Sequence, residues 1–533
     1  MSKCGVILCE CNGSLERRIS LQELSRFIHS TAPDINIVLG NNLCNGGELK
    51  SLINKSDVHP SVIGACSKIQ SRANLLQDLS GDDVNNPCFT KIVDVLSEIN
   101  SSYTDNEVSD RIKLLLASQI SKESYCNDLL QDNIKIHFPI SQTEITRRNL
   151  LASLIPQYEV IPAILHDDCP GVSCQLCADI CPTGAIISSN DTLSIDKASC
   201  TGCGACVNAC PRGAISYPGY STIDLQREIG TLLSNQVELP YRVIAIACQS
   251  SVDSEAAAIN NCPSSLFTMK VPSLFVVSPL LLLNAFNMGV DGIALIHNQG
   301  RCASKMSLES LSNTITFVQR LLDRWGIDKN RLKIIDKNSS EMSSELSQFC
   351  DNILTAGHTR FKAAPGSMTF EGMYNLAAII KEMDTKLKIA DEGVLSGEDV
   401  PFGVAIVDST RCSGCTVCAQ NCPTGAISAQ TSPDSTMFKL IFQHARCIAC
   451  GLCANVCPEK CINVNRTIDF SRLSDDEESI FVNEYVSCRN CNKPYVVKSM
   501  VNALKRKLEE SGIVNAEWTE YCPSCRLAIQ QKR

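Results

Sequence analysis

Short apolar runs alternate with stretches of helical spacing over two long parts of the chain. In residues 1 to about 150 the runs are GVIL, INIVL, VIGA and KIVDVL, and between them positions such as Leu21, Leu24, Phe27 and Ile28 recur at helical spacing. That alternation predicts an α/β domain. From about 240 to 356 the pattern repeats: YRVIAIAC, LFTMKV, GIALIH and RLKII read as strands, and Ser278 to Met288 and Leu308 to Trp325 as the helices between them. Residues 357 to 402, with Gly, Pro and a helical stretch around Tyr374 to Met383, read as a connector. The longest apolar region, Val271 to Ile296, contains Pro272, Pro279, Asn284, Asn287 and Asp291. It falls short of the roughly 18 uninterrupted residues that a membrane span needs, so a buried strand and helix are expected there.

Between and after these parts the hydrophobic pattern gives way to cysteine. The 533 residues include 32 cysteines, far beyond what packing requires. The N-terminus MSKCGVILCECNG shows no basic segment followed by a long apolar core, so no signal peptide is expected. The expectation is a reducing, cytoplasmic setting, where clustered thiols mean metal rather than disulfides. A net charge of -9, no Lys/Arg run and only 5% aromatic residues argue against a nucleic-acid partner.

The spacing of the cysteines is specific. Cys412, Cys415, Cys418 and Cys422 are followed by Pro423, and Cys447, Cys450, Cys453 and Cys457 by Pro458. In this C-x2-C-x2-C-x3-C-P run three thiolates on one turning loop reach one cluster, and the fourth, carried away by the next helix, ligates the other. The expected 4Fe-4S sets are therefore Cys412, Cys415, Cys418 with Cys457, and Cys447, Cys450, Cys453 with Cys422. Residues 168 to 220 repeat the logic with one longer gap, giving Cys169, Cys174, Cys177 with Cys210, and Cys200, Cys203, Cys206 with Cys181. Structural zinc seldom uses eight thiols in this order. Cys461, in CPEKC, reads as spare and structural.

Two further CxxC pairs, Cys488 with Cys491 and Cys522 with Cys525, flank an amphipathic stretch carrying Val497, Met500, Val501, Leu504 and Leu508. They fit a closed tetrahedral thiolate site, and zinc suits such a structural site better than a single iron.

The two dense blocks, down to their PTGAI and PRGAI turns, resemble bacterial two-cluster ferredoxins. GVILCECNG at 5 to 13, NLCNGGELKSLI at 42 to 53 and VIGACSKIQ at 62 to 70 resemble the N-terminal domain of the A-type component of heterodisulfide reductase. That resemblance implies a further 4Fe-4S cluster on Cys9, Cys44 and Cys66. The family's fourth cysteine has no counterpart in EINSSYTD, which leaves Cys88 and Cys11 as candidates. No GxGxxG follows a strand, so no flavin or NAD site is expected.

VPSLFVVSPLLLLNAFNMGVDGIALI and LLDRWGIDKNRLKII resemble the delta subunit of methyl-viologen-reducing hydrogenase, a family with a 2Fe-2S cluster. Cys248 and Cys302 match it and Cys262 is a third thiol nearby, but Ser273 stands where the family has cysteine. The expectation is a docking platform that has kept the fold without its metal.

Nucleophile elbow, P-loop, HExxH and EF-hand patterns are missing. His137 and His297 read as strand-end residues, and the carboxylate pairs Asp82 with Asp83 and Asp167 with Asp168 as loop residues.

The chain thus reads as multidomain α/β plus α+β. It has Rossmann-like α/β domains at 1–150 and 240–356, ferredoxin-like modules at 168–220 and 403–467, the connector at 357–402, and a zinc-ribbon-like tail at 480–533. The leading expectation is an electron-transfer subunit of an anaerobic oxidoreductase complex. Its partners would be hydrogenase, formate dehydrogenase or heterodisulfide reductase subunits, and it would carry no catalytic residues of its own. A redox-sensing or assembly scaffold, and a self-contained disulfide reductase acting at the N-terminal site, are the alternatives.

Overall fold

The computed structural model describes residues 3–10, 13, 15–43, 48–49, 51–52, 58–65, 91–95, 103–121, 134–137, 157–233, 240–248, 263, 265–297, 307–336, 339–359, 375–434, 436–474, 476–512 and 517–530. The chain divides into two units, residues 1–167 with 176–371, and residues 168–175 with 372–533.

The first unit begins with a parallel sheet in the order β2-β1-β3-β4, made by β1 (Lys3–Cys9), β2 (Asn36–Gly40), β3 (Val58–Ala65) and β4 (Lys91–Asp94). The side chain of Ser20 caps α1 (Leu21–Thr31), whose Leu21, Leu24 and Ile28 are buried at the spacing that the sequence shows. They pack with Val6, Leu8 and Val62 of the sheet and with Val108, Ile112 and Leu116 of α2 (Asp105–Ser121). An antiparallel pair, β5 (Ile134–His137) and β6 (Gln157–Val160), follows.

The first cysteine block is built from short elements: β7 (Ala163–Ile164), α3 (Leu176–Asp179), β8 (Ile186–Ser189), β9 (Thr192–Ile195), α4 (Ala205–Ala209) and β10 (Ile215–Ser216). β8 pairs with β9 and β7 with β10, both antiparallel. α5 (Thr222–Leu232) leads onward from a capping box formed by Ser221 and Asp224.

A second parallel sheet, in the order β12-β11-β13-β14, comprises β11 (Val243–Cys248), β12 (Leu266–Val271), β13 (Gly292–His297) and β14 (Leu332–Asp336). β11 and β13 are buried at every position, which is why their sequences are continuous apolar runs without alternation. Ser278 caps α6 (Pro279–Asn287), with proline in its first turn where a missing N–H costs nothing. α7 (Ser307–Arg324) and α8 (Ser339–Ala356) complete the layers, and Phe349, Cys350 and Ile353 of α8 pack on Val243, Ala245, Ala294 and Ile335. α2 also reaches this domain, where Arg111 donates to the Leu266 carbonyl and its guanidinium lies 5.1 Å from the Phe267 ring centre.

The second unit contains α9 (Leu376–Leu387), then β15 (Val394–Ser396), β16 (Gly403–Val407), α10 (Val417–Gln420), β17 (Ile427–Thr431), β18 (Met437–Phe442), α11 (Leu452–Asn455) and β19 (Ile462–Asp469). β20 (Glu478–Ser487), β21 (Pro494–Val497), α12 (Lys498–Glu510) and α13 (Pro523–Gln530) form the tail. One sheet runs β15-β19-β16, so the end of the connector pairs with the cysteine block. The other runs β17-β18-β20-β21, so the tail continues the same sheet. Of α12 only Ala503 is fully buried, while Met500, Val501, Leu504 and Leu508 are half-buried. Among the described residues no helix is long and apolar enough to cross a membrane.

Candidate metal centres

In the first block the glycine-rich turn Thr201–Gly204 must bend sharply between cysteines, and Gly202 and Gly204 take φ of +64° and +82°. The result is a small cavity whose wall includes Cys181, Cys200, Cys203 and Cys206 and holds no histidine or carboxylate among the described residues. Cys181 on this wall comes from the other run.

Burial, then the negative charge of Cys203, Cys200, Cys177 and Cys181, pushes the Cys206 thiol well up. Burial also opposes ionisation of Cys181, but the amides and hydroxyl around Thr183 to Ile186 outweigh it and hold that thiol below its usual range. The Ala185 amide, for instance, donates to Cys181 Sγ at 3.3 Å.

The cavity is fastened to the middle domain. Ser273 donates to the Cys203 carbonyl at 2.6 Å and Asn208 donates to Ser310 at 3.0 Å, while within the block Tyr217 donates to the Gly202 carbonyl at 2.5 Å. A Cβ on Gly204 would stand 2.9 Å from the Tyr217 hydroxyl and 3.3 Å from Cβ of Ser273. Cys177 and Cys210 lie in this unit and are buried. Cys169 and Cys174 belong to the second unit, Cys174 closing the short turn Gly171–Ser173.

The second block brings Cys412, Cys415, Cys418 and Cys457 onto one small cavity. Cys461 stands on the same wall, its Sγ 3.6 Å from Cys457 Sγ. Burial, then the charges of Cys412 and Cys415, pushes Cys418 up to about 12. The other set also gathers: burial, then Cys447, Cys450 and Cys422, pushes Cys453 up to about 12, and Cys447 and Cys450 are raised by burial and by Cys422. Thiols in such surroundings become thiolates only with a cation among them, so the donor sets suit thiolate-bound metal.

His444 shapes the loop before Cys447. Its Nδ1 donates to the Gly403 carbonyl at 2.9 Å and its Nε2 accepts from the Asp469 amide at 2.9 Å, which fixes one neutral tautomer. Burial holds its pKa below the usual value. Gly403 then approaches the loop so closely that an added Cβ would lie 2.9 Å from Cys447 Sγ.

In the tail the sulfurs of Cys488, Cys491, Cys522 and Cys525 all lie within 4.8 Å of one another. Cys491 Sγ and Cys522 Sγ are 3.8 Å apart. A tetrahedron with metal–sulfur bonds of about 2.3 Å has edges of about 3.8 Å, so this spacing fits zinc. Burial works against ionisation of Cys488, but the amides of Cys522, Cys491 and Asn490 lower it to about 6. Asn490 donates to Cys525 Sγ at 3.3 Å, yet the hydrogen bonds of Cys525 with the other three thiols raise it to about 11.

Of the remaining candidates, Cys9 ends β1, buried beside Ile7, Leu43, Leu49, Ile63 and Ala65. Cys11, Cys44, Cys66, Cys88, Cys262 and Cys302 lie outside the described residues. Cys248 is buried at the end of β11. His297, at the end of β13, pairs with Asp336 at 2.9 Å. Sequence reasoning did not single out Ser273 as a tether, nor Tyr217, Gly403 or His444. The flanking glycines were its nearest signal.

Comparison with known families agrees with the geometry. Residues 405–464 match the 4Fe-4S dicluster domain, residues 193–216 the 4Fe-4S binding domain, and residues 243–355 the methyl-viologen-reducing hydrogenase, delta subunit. A search of curated proteins found no match. The chain is an iron–sulfur protein in which ferredoxin-type 4Fe-4S domains are joined to a hydrogenase delta-subunit-like domain.

Proposed function

We propose that the chain is an electron-transfer subunit of a cytoplasmic, anaerobic oxidoreductase complex of the heterodisulfide reductase, hydrogenase or formate dehydrogenase kind. The observation that carries this reading is the thiol-lined cavity of the first block, whose loop Gly202–Cys203 is hydrogen-bonded to Tyr217 and to Ser273 of the hydrogenase-like domain. A partner docked on that domain would sit next to a redox station.

Cys181 with Cys200, Cys203 and Cys206, Cys457 with Cys412, Cys415 and Cys418, and Cys422 with Cys447, Cys450 and Cys453 would each hold a 4Fe-4S cluster. Cys169, Cys174, Cys177 and Cys210 would hold a fourth on the strength of spacing alone. Such clusters supply one-electron chemistry at potentials set by charge, hydrogen bonds to sulfur and burial. The chain's own part is to hold the thiolates, to aim amides at them, as Ala185 does at Cys181, and to exclude water with apolar neighbours such as Ile186 and Ile195. The tail thiols would hold zinc as a brace. No residue is assigned to substrate chemistry, which would belong to partner subunits.

Stopped-flow reduction of the anaerobically purified chain by reduced ferredoxin tests the reading. A relay accepts electrons within the mixing time or shortly after it. Slow reduction with cluster loss would favour a sensor or scaffold instead.

A further inference from the structure

The four cysteine runs end in one recurring turn. In Cys181–Ala185, Cys210–Ala214 and Cys422–Ala426 the order is Cys-Pro-x-Gly-Ala, with Gly184, Gly213 and Gly425 at φ of +63°, +68° and +68°. The amides of those glycines donate to the carbonyls of Cys181, Cys210 and Cys422 at 3.2, 3.3 and 3.1 Å. The alanines that follow are buried.

The fourth copy is Cys457-Pro458-Glu459-Lys460-Cys461. Lys460 adopts the same left-handed conformation, at φ 49°, although it is not glycine, and its amide donates to the Cys457 carbonyl at 3.2 Å. The turn therefore keeps its shape, and the buried alanine of the other three copies is here a thiol.

In the first copy Ala185 lies on the wall of its cavity, and in the fourth Cys461 does the same. The added sulfur points at the ligand set: it stands 3.6 Å from Cys457 Sγ and shares the cavity wall with Cys412, Cys415 and Cys418. Its backbone is held by the Asp408 amide, which donates to the Cys461 carbonyl at 2.8 Å. Arg411 braces the turn by donating to the Glu459 carbonyl at 2.7 Å, and Lys507 by pairing with the Glu459 carboxylate at 3.0 Å.

We propose that Cys461 is a reserve ligand of the cluster site formed by Cys412, Cys415, Cys418 and Cys457, able to replace Cys457. This rests on the cluster assignment proposed above. In the exchange the iron–sulfur bond to Cys457 breaks as one to Cys461 forms, and the proton of the Cys461 thiol passes to Cys457 Sγ. Charge and electron count are unchanged, so no oxidant or reductant is needed. One site in the chain thereby tolerates loss or oxidation of a ligand that its sister sites do not.

The test is iron and sulfide analysis, with electron paramagnetic resonance of the reduced state, on full-length chains reconstituted anaerobically. Cys461→Ala, which restores the residue of the other three turns, is expected to keep wild-type iron. Cys457→Ala is expected to keep it too, with an altered resonance. The double variant Cys457→Ala/Cys461→Ala is expected to lose about four irons, one cluster's worth.

Equal iron loss in Cys457→Ala and the double variant overturns the proposal, as does full retention in the double variant. Cys415→Ala separates this from the underlying assignment. If it loses no iron, the cluster site itself is wrong, whereas if it loses about four irons while Cys457→Ala does so too, only the reserve ligand is wrong. Should Cys457→Ala fail to fold, transplanting the device decides. Cys422→Ala/Ala426→Cys should retain iron that Cys422→Ala loses, and equal loss in both overturns the proposal.

Discussion

Ser273 donates its hydroxyl hydrogen to the carbonyl of Cys203 at 2.6 Å, across 70 residues of sequence. The same oxygen accepts from the Phe275 amide at 3.3 Å, so one side chain shapes the turn after β12 and fastens the cysteine loop to it. One serine side chain thus joins the first cysteine block to the domain that matches the hydrogenase delta subunit.

Ser273→Ala should weaken that joint. A part-buried hydrogen bond of this kind contributes about 1 kcal/mol, which corresponds to roughly fivefold faster amide exchange when exchange proceeds by local opening. Hydrogen exchange over residues 201–206 should accelerate by that factor with iron content unchanged. Unaltered exchange would mean that the contact does not hold the loop.

Gly403→Ala places a Cβ 2.9 Å from Cys447 Sγ and 2.9 Å from Val464 Cγ1. Overpacking a tight core usually costs about 1–3 kcal/mol, and here the displaced atom is a proposed ligand. The variant should lose about four irons per chain while the first block keeps its own. Chemical iron analysis reads this directly.

His444 gives a pH dependence with a definite sign. Its folded pKa is lowered from 6.5 by burial, so the unfolded chain takes up the proton first. Its contribution is fully present above about 6.5 and is lost as the pH falls below that, at up to about 1.4 kcal/mol per pH unit. Melting curves of wild type and His444→Gln between neutral and mildly acid pH should therefore converge on acidification. Parallel curves would show that the ring titrates alike in the folded and unfolded chain.

The tail makes a prediction about protons. At neutral pH Cys525, at about 11, must release its proton to bind metal, whereas Cys488, at about 6, has already lost one. Zinc titration of the metal-free chain should release more protons at pH about 5 than at pH about 7.5, because Cys488 is then protonated as well. Calorimetry in buffers of different ionisation enthalpy counts them. Release that does not change with pH would contradict the assignment of Cys488.

What was legible in the sequence was local. The runs in β11 and β13 announce central parallel strands because both faces are buried, and the proline caps and cysteine gaps are fixed within a few residues of themselves. Contacts such as Ser273 to Cys203 and His444 to Asp469 join distant segments and leave no pattern in either. The place of Cys461 was hidden for another reason. Without the left-handed Lys460, nothing shows that CPEKC folds as CPTGA does. The tail helix shows the apolar stripe that its spacing announces, but how far that stripe is covered, here only half, depends on neighbours distant in sequence.

Whether crossed sets of cysteines hold 4Fe-4S clusters in both blocks, as proposed, is decided by iron and acid-labile sulfide per chain after anaerobic purification. Four clusters of four irons require about sixteen irons and about sixteen sulfides, and loss of the corresponding cluster in both Cys181→Ala and Cys422→Ala. A chain holding about eight irons or fewer, or keeping its full iron when Cys181 and Cys422 are both replaced, would contradict it.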